Sequence, residues 1–93
     1  MDIQITFHQM SPSEEIKSYC KKKIGSEDKY FSRIIAARIV LEVAKREQIA
    51  KVVLTMPKKT IIKAEAREED MYASIDKVVD KLKRQLVDFK EQQ

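Results

Sequence analysis

The sequence predicts an α+β domain of two layers, in which a four-stranded sheet carries two helices on one face in the order β-α-β-β-β-α. In two stretches apolar residues recur at spacings of three and four, which is typical of amphipathic helices. In four others they alternate with polar residues, which is typical of strands that bury one side. A chain of 93 residues is too short for two independent cores. Residues 1–93 are therefore expected to form one domain.

The chain begins with a predicted strand over residues 2–8, in which every second residue is apolar. A first helix follows, because Pro12 suits the first turn of a helix and either Ser11 or Ser13 can cap its free N–H groups. The apolar stripe of this helix consists of Ile16, Tyr19, Cys20 and Ile24. Gly25 and the serine after it weaken the helix, so the position of its end stays open.

Three further strands are expected in the middle of the chain, where apolar residues recur with a period of two. They cover residues 35–44, 50–56 and 61–66. Polar turns at residues 45–48 and 57–59 separate them, and strands joined by such short turns form an antiparallel meander. The outward-facing charged residues can pair across neighbouring strands. They are Arg38, Glu42, Lys51, Lys63 and Glu65.

The last helix is predicted over residues 69–89, where no proline or glycine interrupts the sequence. Asp70 is a natural N-cap, and its charge suits the N-terminal end of the helix dipole. The apolar stripe consists of Met71, Ile75, Val78, Val79, Leu82, Leu86 and Phe89. Both helical stripes need an apolar partner, and one face of the sheet is the only such surface left. The two helices are therefore expected side by side on that face.

Composition narrows the class of protein. Charged residues make up 37% and apolar residues 43% of the chain, which together with clear periodicity indicates a folded domain. No apolar run approaches the roughly 18 residues that span a bilayer, and the N-terminus lacks the layout of a signal peptide. The single cysteine cannot form an internal disulfide, which suits a reducing compartment. A cytoplasmic protein without a membrane partner is expected.

The sequence offers no set of residues for catalysis or metal binding. His8 and Cys20 are the only residues of their kinds, so no Cys-x-x-Cys or His-x-x-x-His spacing exists. A single glycine excludes a glycine-rich phosphate loop. Asp80 has Lys83 and Arg84 at i+3 and i+4, so surface ion pairs explain this carboxylate better than acid–base chemistry. We expect no enzyme, no cofactor, no metal site and no small-molecule substrate.

Basic residues are the remaining functional signal in a chain of net charge +4. The candidate RNA-binding residues are Lys17, Lys22 and Lys23 on the first helix and Lys77, Lys81 and Arg84 on the last. If the helices lie side by side, these cations form one positive surface for phosphates, and binding weakens steeply with salt. Without interleaved aromatic residues, structured RNA is favoured over single strands. The alternative, that exposed lysines only keep the domain soluble, stays open on composition alone.

The last helix also carries a resemblance to a known family. Residues 69–73 (EDMYA), 75–76 (ID) and 80–86 (DKLKRQL) closely resemble the signature of the ribosome hibernation promoting factor family, also called ribosome-associated inhibitor A or protein Y. The resemblance extends to residues 3–6, 29–31 and 40–43, so it covers nearly the whole chain. It implies a β-α-β-β-β-α fold that is similar to a double-stranded-RNA-binding domain with an added strand.

The resemblance implies a function as well. Members of the family bind the small ribosomal subunit and its rRNA, in the channel used by mRNA and by A- and P-site tRNA. This binding blocks translation in stressed or stationary cells. Four candidates match basic positions of the family, namely Lys17, Lys23, Lys81 and Arg84, and the other two are added on electrostatic grounds alone. Two further classes stay open: a protein-interaction domain of the sigma-factor modulator type, and a domain that binds structured RNA away from the ribosome.

Three features set the chain apart within this family. Many relatives carry glycines in the hairpin turn where this chain has Lys58 and Lys59, so the shape of the turn and its contact with RNA are open. Relatives place an apolar residue near Glu27, which again leaves the end of the first helix open. Long members add a C-terminal dimerisation domain, whereas this chain resembles the short form, which uses a separate ribosome modulation factor to pair ribosomes. The sequence fits both a protein that promotes ribosome dimers and one that prevents them.

Overall fold

The computed structural model describes residues 1–25 and 29–91 of the chain, without the side chains of residues 90 and 91. Its elements are β1 (Asp2–His8), α1 (Glu14–Lys23), β2 (Ala36–Ala44), β3 (Glu47–Thr55), a 3-10 turn (Pro57–Lys59), β4 (Ile61–Glu68) and α2 (Met71–Glu91). The predicted α+β class and the element order are confirmed. The expectation about Glu27 lies outside the described residues. Within the described part of the chain, neither helix combines the length and apolar character needed to cross a membrane.

The four strands form one sheet in the order β1-β2-β3-β4. β1 runs parallel to β2, while β2, β3 and β4 form the predicted antiparallel meander. The turn between β2 and β3 is shorter than predicted, because only Lys45 and Arg46 separate the strands and Glu47 already pairs with Ala44. Lys45 adopts a left-handed φ of 58°, and positive φ is what tight two-residue hairpin turns require.

One face of the sheet is apolar and lies under the helices. Ile5 lies beside Ile39, Ile39 beside Val52, and Val52 beside Ala64, so a row of apolar side chains crosses all four strands. The apolar stripe of α2 covers this face. Its buried members are Met71, Ile75, Val78, Val79, Leu82 and Leu86. Removing this apolar surface from water is the main force that holds the two layers together.

Local hydrogen bonds fix where both helices begin. Ser13 and not Ser11 caps α1, since the Ser13 Oγ accepts a hydrogen bond from the Ile16 N–H at 3.2 Å. Asp70 caps α2 as predicted, because its Oδ2 accepts from the Ala73 N–H at 3.1 Å. The N-terminal end of α2 is therefore fixed, and with it the positions of the basic residues along this helix.

Two further contacts hold the helices in place. α1 ends at Lys23, and the Ile24 N–H still donates to the Cys20 carbonyl at 2.8 Å. On α2, the fully buried Ser74 hydroxyl donates to the Gln48 carbonyl of β3. This bond ties the first turns of α2 directly to the sheet.

Candidate nucleic-acid interface

The two helices meet along a group of side chains that we call the interhelical cluster: Tyr19 and Lys23 of α1 with Tyr72 and Asp76 of α2. The Tyr19 and Tyr72 rings meet edge to face, with their centroids 4.9 Å apart. The Tyr19 hydroxyl donates to Asp76 Oδ1 at 2.5 Å, and Lys23 Nζ lies 3.5 Å from the same oxygen. Lys23 Nζ also lies 5.4 Å from the centre of the Tyr19 ring, a cation–π distance. The helices therefore lie side by side, as predicted.

Asp76 controls the charge of the interhelical cluster. The hydrogen bond to Asp76 raises the pKa of Tyr19, because only the neutral hydroxyl can donate it. The attraction of the same carboxylate raises the pKa of Lys23, because it favours the charged ammonium. Both groups keep their protons at neutral pH, and Asp76 partly neutralises the positive charge of Lys23.

The other two candidates on α1 lie outside the interhelical cluster. Lys17 precedes Tyr19 by two residues, which places it about 200° around the helix from the interhelical cluster. Its Nζ lies 3.7 Å from Glu14 Oε1, within α1 itself. Lys22 is exposed and makes no ion pair with any residue that the structure describes. The three candidate cations of α1 thus lie in three different directions.

On α2 the three candidates share the outer face, as their spacing predicts, and we call them the basic stripe: Lys77, Lys81 and Arg84. Lys77 Nζ lies 3.4 Å from Glu68 Oε2, and Lys81 Nζ donates to the backbone carbonyl of Glu65 at 2.7 Å. Both acceptors belong to β4, the strand at the outer edge of the sheet. The basic stripe therefore lies on the side of α2 that faces away from α1.

Arg84 keeps its charge free for a partner. The ion pair predicted between Asp80 and Arg84 does not form, and within the described ranges neither side chain makes any other. Both side chains are exposed. Because no carboxylate among the described residues pairs with it, the Arg84 guanidinium is available for bidentate contact with a phosphate.

The six predicted cations do not form one continuous surface. The basic stripe lies over β4, Lys23 lies within the interhelical cluster, and Lys17 lies on the far flank of α1. The rotation of each helix is set by how its apolar stripe packs on the sheet, and the packing of α1 turns Lys17 away from α2. The structure brings together only the three candidates that belong to one helix.

A second basic group lies beside the C-terminal half of α2, and the sequence did not predict it. Lys29 Nζ and Lys83 Nζ lie 5.4 and 5.2 Å from the centre of the Tyr30 ring. Arg33 and Tyr30 also line a cavity of about 370 Å³ at this point. The adjacent Lys29 and Tyr30 were visible in the sequence, but nothing local indicated that Lys83 reaches the same ring from α2.

The open face of the sheet is largely neutralised by ion pairs between strands. Lys51 Nζ lies 4.0 Å from Glu42 Oε1 and 3.8 Å from Glu65 Oε1. Arg67 lies 3.6 Å from Glu65 Oε1 and 3.4 Å from Glu47 Oε1. The predicted pairing across strands is confirmed for Lys51 with Glu42 and Glu65. The excess positive charge of the chain therefore belongs mainly to the helices and the turns.

Two cations of the open face and two of the last turn make no such ion pair among the described residues. Arg38 and Lys63, which the sequence predicted to pair, are exposed and make no ion pair within the part of the chain described. Lys58 and Lys59 are also exposed, and both adopt a left-handed φ of 62°. The turn thus takes a backbone conformation that glycine adopts without strain and lysine does not.

Cys20 and His8 are the residues of this chain whose types most often carry reaction chemistry. Cys20 is fully buried, and burial raises the pKa of its thiol to about 12, so it is not a nucleophile at neutral pH. His8 lies on the exposed side of β1, with Nδ1 3.8 Å from Glu42 Oε1. Among the described residues no three His, Cys, Asp or Glu side chains gather closely enough to hold a metal ion.

Comparisons with known proteins agree with one another. The sequence model of the family described as Sigma 54 modulation protein / S30EA ribosomal protein matches residues 3–93. A relative from Azotobacter vinelandii named ribosome hibernation promoting factor is 34% identical over 93 residues, which cover 100% of this chain and 86% of the relative. A ribosomal subunit interface protein from Coxiella burnetii has a similar structure, with a TM-score of 0.90 and 26% identity over 98% of this chain and 99% of that one. The N-terminal domain of Protein Y from Thermus thermophilus is also similar, with a TM-score of 0.83 and 28% identity over 96% and 99% of the two chains.

Proposed function

Because the chain belongs to the Sigma 54 modulation protein / S30EA ribosomal protein family, we propose that it is a ribosome hibernation factor that inhibits translation. It acts in the cytoplasm by binding rRNA of the small ribosomal subunit, in the channel that mRNA and the A- and P-site tRNAs use. The names of the similar proteins, which include a hibernation promoting factor and a subunit interface protein, support this proposal. So does the extent of the similarity, which covers the described fold from end to end.

The observation that carries the proposal is the basic stripe on α2. Its three cations lie at spacings i, i+4 and i+7, so they extend about 10 Å along a rigid helix. Ser74 fixes this helix to the sheet and Asp70 caps it. The helix that carries the cations therefore loses little conformational entropy on binding. A rigid basic surface of this kind can fill a channel lined by RNA phosphates through electrostatic contact alone, without catalysing a reaction.

The intramolecular partners of the basic stripe do not prevent this contact. Lys77 and Glu68 form a mostly exposed ion pair, and such pairs contribute little to stability. Lys77 can therefore exchange its carboxylate for a phosphate at small cost. Arg84 needs no exchange at all. Each phosphate that these side chains neutralise releases counterions and adds to the salt dependence of binding.

Co-sedimentation with small ribosomal subunits across a salt series tests the proposal. We expect binding that weakens as salt rises, and we expect the double variant Lys81→Glu with Arg84→Glu to abolish it. The matched control is Arg38→Glu with Lys63→Glu, which makes the same change of charge at exposed positions on the open face. This control should bind nearly as well as the parent, and circular dichroism should show that both variants are folded.

Two results would contradict the proposal. If the α2 double variant sedimented with subunits as well as the parent, the basic stripe would not be the contact surface. If saturating protein left the output of a cell-free translation reaction unaltered, occupation of the channel would be excluded. Binding to a sigma factor without binding to ribosomes would instead favour the modulator function that the family description also names.

A further inference from the structure

The two outer edges of the sheet differ in how their backbone groups are covered. Along β4, Lys81 Nζ and Gln85 Nε2 donate to the carbonyl oxygens of Glu65 and Lys63, both at 2.7 Å. α2 therefore covers two carbonyl groups of this edge. Along β1, no residue that the structure describes bonds to the outward-pointing peptide groups. The sheet thus has one partly covered edge and one open edge.

The hydrogen bonds of β1 show which of its peptide groups are open. The Asp2 N–H donates to the Ile35 carbonyl at 3.1 Å, and Asp2 is in parallel register with Ala36. Alternate residues of a strand direct their peptide groups to opposite sides, so Gln4, Thr6 and His8 also face β2. The residues whose N–H and C=O groups point outward are therefore Ile3, Ile5 and Phe7.

The sequence of β1 lacks the features that usually keep such an edge unpaired. Protein sheets protect open edges with lysine, proline, bulges or very short strands. β1 has seven residues, DIQITFH, without lysine or proline. Its ionisable side chains, Asp2 and His8, are the first and last residues of the strand. The five residues between them are uncharged and include β-branched and aromatic types that favour strands.

We propose that β1 pairs antiparallel with β1 of a second copy of this chain, centred on Ile5. In this register Ile3 lies opposite the partner's Phe7, and the open N–H and C=O groups of both strands exchange about six hydrogen bonds. Asp2 lies opposite the partner's His8, so a carboxylate meets an imidazole at each end of the pair. A parallel alignment would instead place Asp2 opposite the partner's Asp2.

The geometry of His8 suits this contact. Its Nδ1 lies 3.8 Å from Glu42 Oε1 of the same chain, which leaves Nε2 to donate to the carboxylate of the partner's Asp2. The pairing also covers Ile3, Ile5 and Phe7, whose side chains are only half-buried at the end of the core. Charge complementarity and the apolar pattern therefore select the same register.

The paired chains would form one eight-stranded sheet with all helices on the same side. A strand edge is a small interface, so the dimer is expected to be weak and to depend on concentration. The basic stripe lies at the opposite edge of the sheet and stays accessible. The inference therefore does not rest on the proposed function.

Sedimentation velocity from micromolar to millimolar concentration tests the proposal with four exposed positions, Gln4, Thr6, Ser11 and Ser18. Gln4 lies opposite the partner's Thr6, so Gln4→Lys with Thr6→Lys places like charges across the interface and should weaken the dimer roughly tenfold. Gln4→Glu with Thr6→Lys places opposite charges there and should strengthen it. Ser11→Lys with Ser18→Lys adds the same charge away from β1 and should leave the dimer as it is in the parent.

Amide hydrogen exchange supplies a second readout at the level of single residues. As concentration rises, the Ile3, Ile5 and Phe7 amides should become protected, while the Gln4 and Thr6 amides, already bonded to β2, should not change. A parent chain that stays monomeric at millimolar concentration would overturn the proposal. So would a dimer that ignores the Gln4 and Thr6 substitutions, or protection that appears on another surface.

Discussion

We expect Asp76 to restrain ribosome binding, because it partly neutralises Lys23, a candidate RNA-binding residue that lies outside the basic stripe. Its Oδ1 lies 3.5 Å from Lys23 Nζ. Asp76→Asn removes the charge but keeps an amide oxygen that can accept the hydrogen bond from Tyr19. If the released Lys23 contacts one phosphate, the slope of log K against log salt steepens by about 0.7–0.9. Between 50 and 200 mM salt, this difference in slope changes the ratio of the variant's affinity to the parent's affinity by about threefold.

Asp80→Asn is the matched control for this experiment. It removes the same charge one turn further along α2, but Asp80 makes no ion pair among the described residues. We expect it to change the affinity slightly and to leave the slope unaltered. Filter binding of small subunits across the salt series measures both variants, and chemical denaturation confirms that they are folded. Equal slopes for the two variants would refute the reasoning, because the effect would then come from net charge and not from Lys23.

Two further predictions concern the core. Leu82 is fully buried where α2 meets the sheet, so Leu82→Ala should lower the free energy of unfolding by roughly 3 kcal/mol. The control Val87→Ala changes a residue of the same helix that is 39% exposed, and it should lower the free energy of unfolding by less than about 1 kcal/mol. Urea denaturation compares the two variants, and equal losses would contradict the assigned core. The Cys20 thiol, with its pKa raised to about 12, should stay protonated and unreactive towards iodoacetamide at pH 8 until the chain unfolds. Mass spectrometry follows the alkylation, and rapid labelling of the folded chain would show that the site is not buried.

The order of elements could be predicted because each element carries its own period of apolar residues. The seven positions from Met71 to Phe89 indicated a helix, and Asp70 indicated its beginning; the structure confirms both. Where two local signals competed, the sequence could not choose. Ser11 and Ser13 are both good caps, and the bond from the Ile16 N–H selects Ser13. The length of the first hairpin turn depended on the φ of Lys45, which no pattern of polar residues reveals.

The candidate site was harder to predict, because it depends on how each helix is rotated against its neighbours. Spacing alone placed Lys77, Lys81 and Arg84 on one face, and this face exists. Whether Lys17 and Lys23 join it depends on contacts between residues far apart in the chain. The Tyr19–Asp76 hydrogen bond spans 57 positions. Asp76 also pairs with Lys23, while Lys17 lies on the opposite flank of α1.

The last hairpin of the chain shows a conflict between backbone geometry and electrostatics. Lys58 and Lys59 both hold a left-handed conformation, which costs a side-chain-bearing residue about 1–2 kcal/mol. Glycine at these two positions would relax the peptide but would remove two adjacent ammonium groups from the tip. Retaining lysine here therefore sacrifices folding stability for local charge, and we expect that charge to matter when the tip approaches an anionic surface.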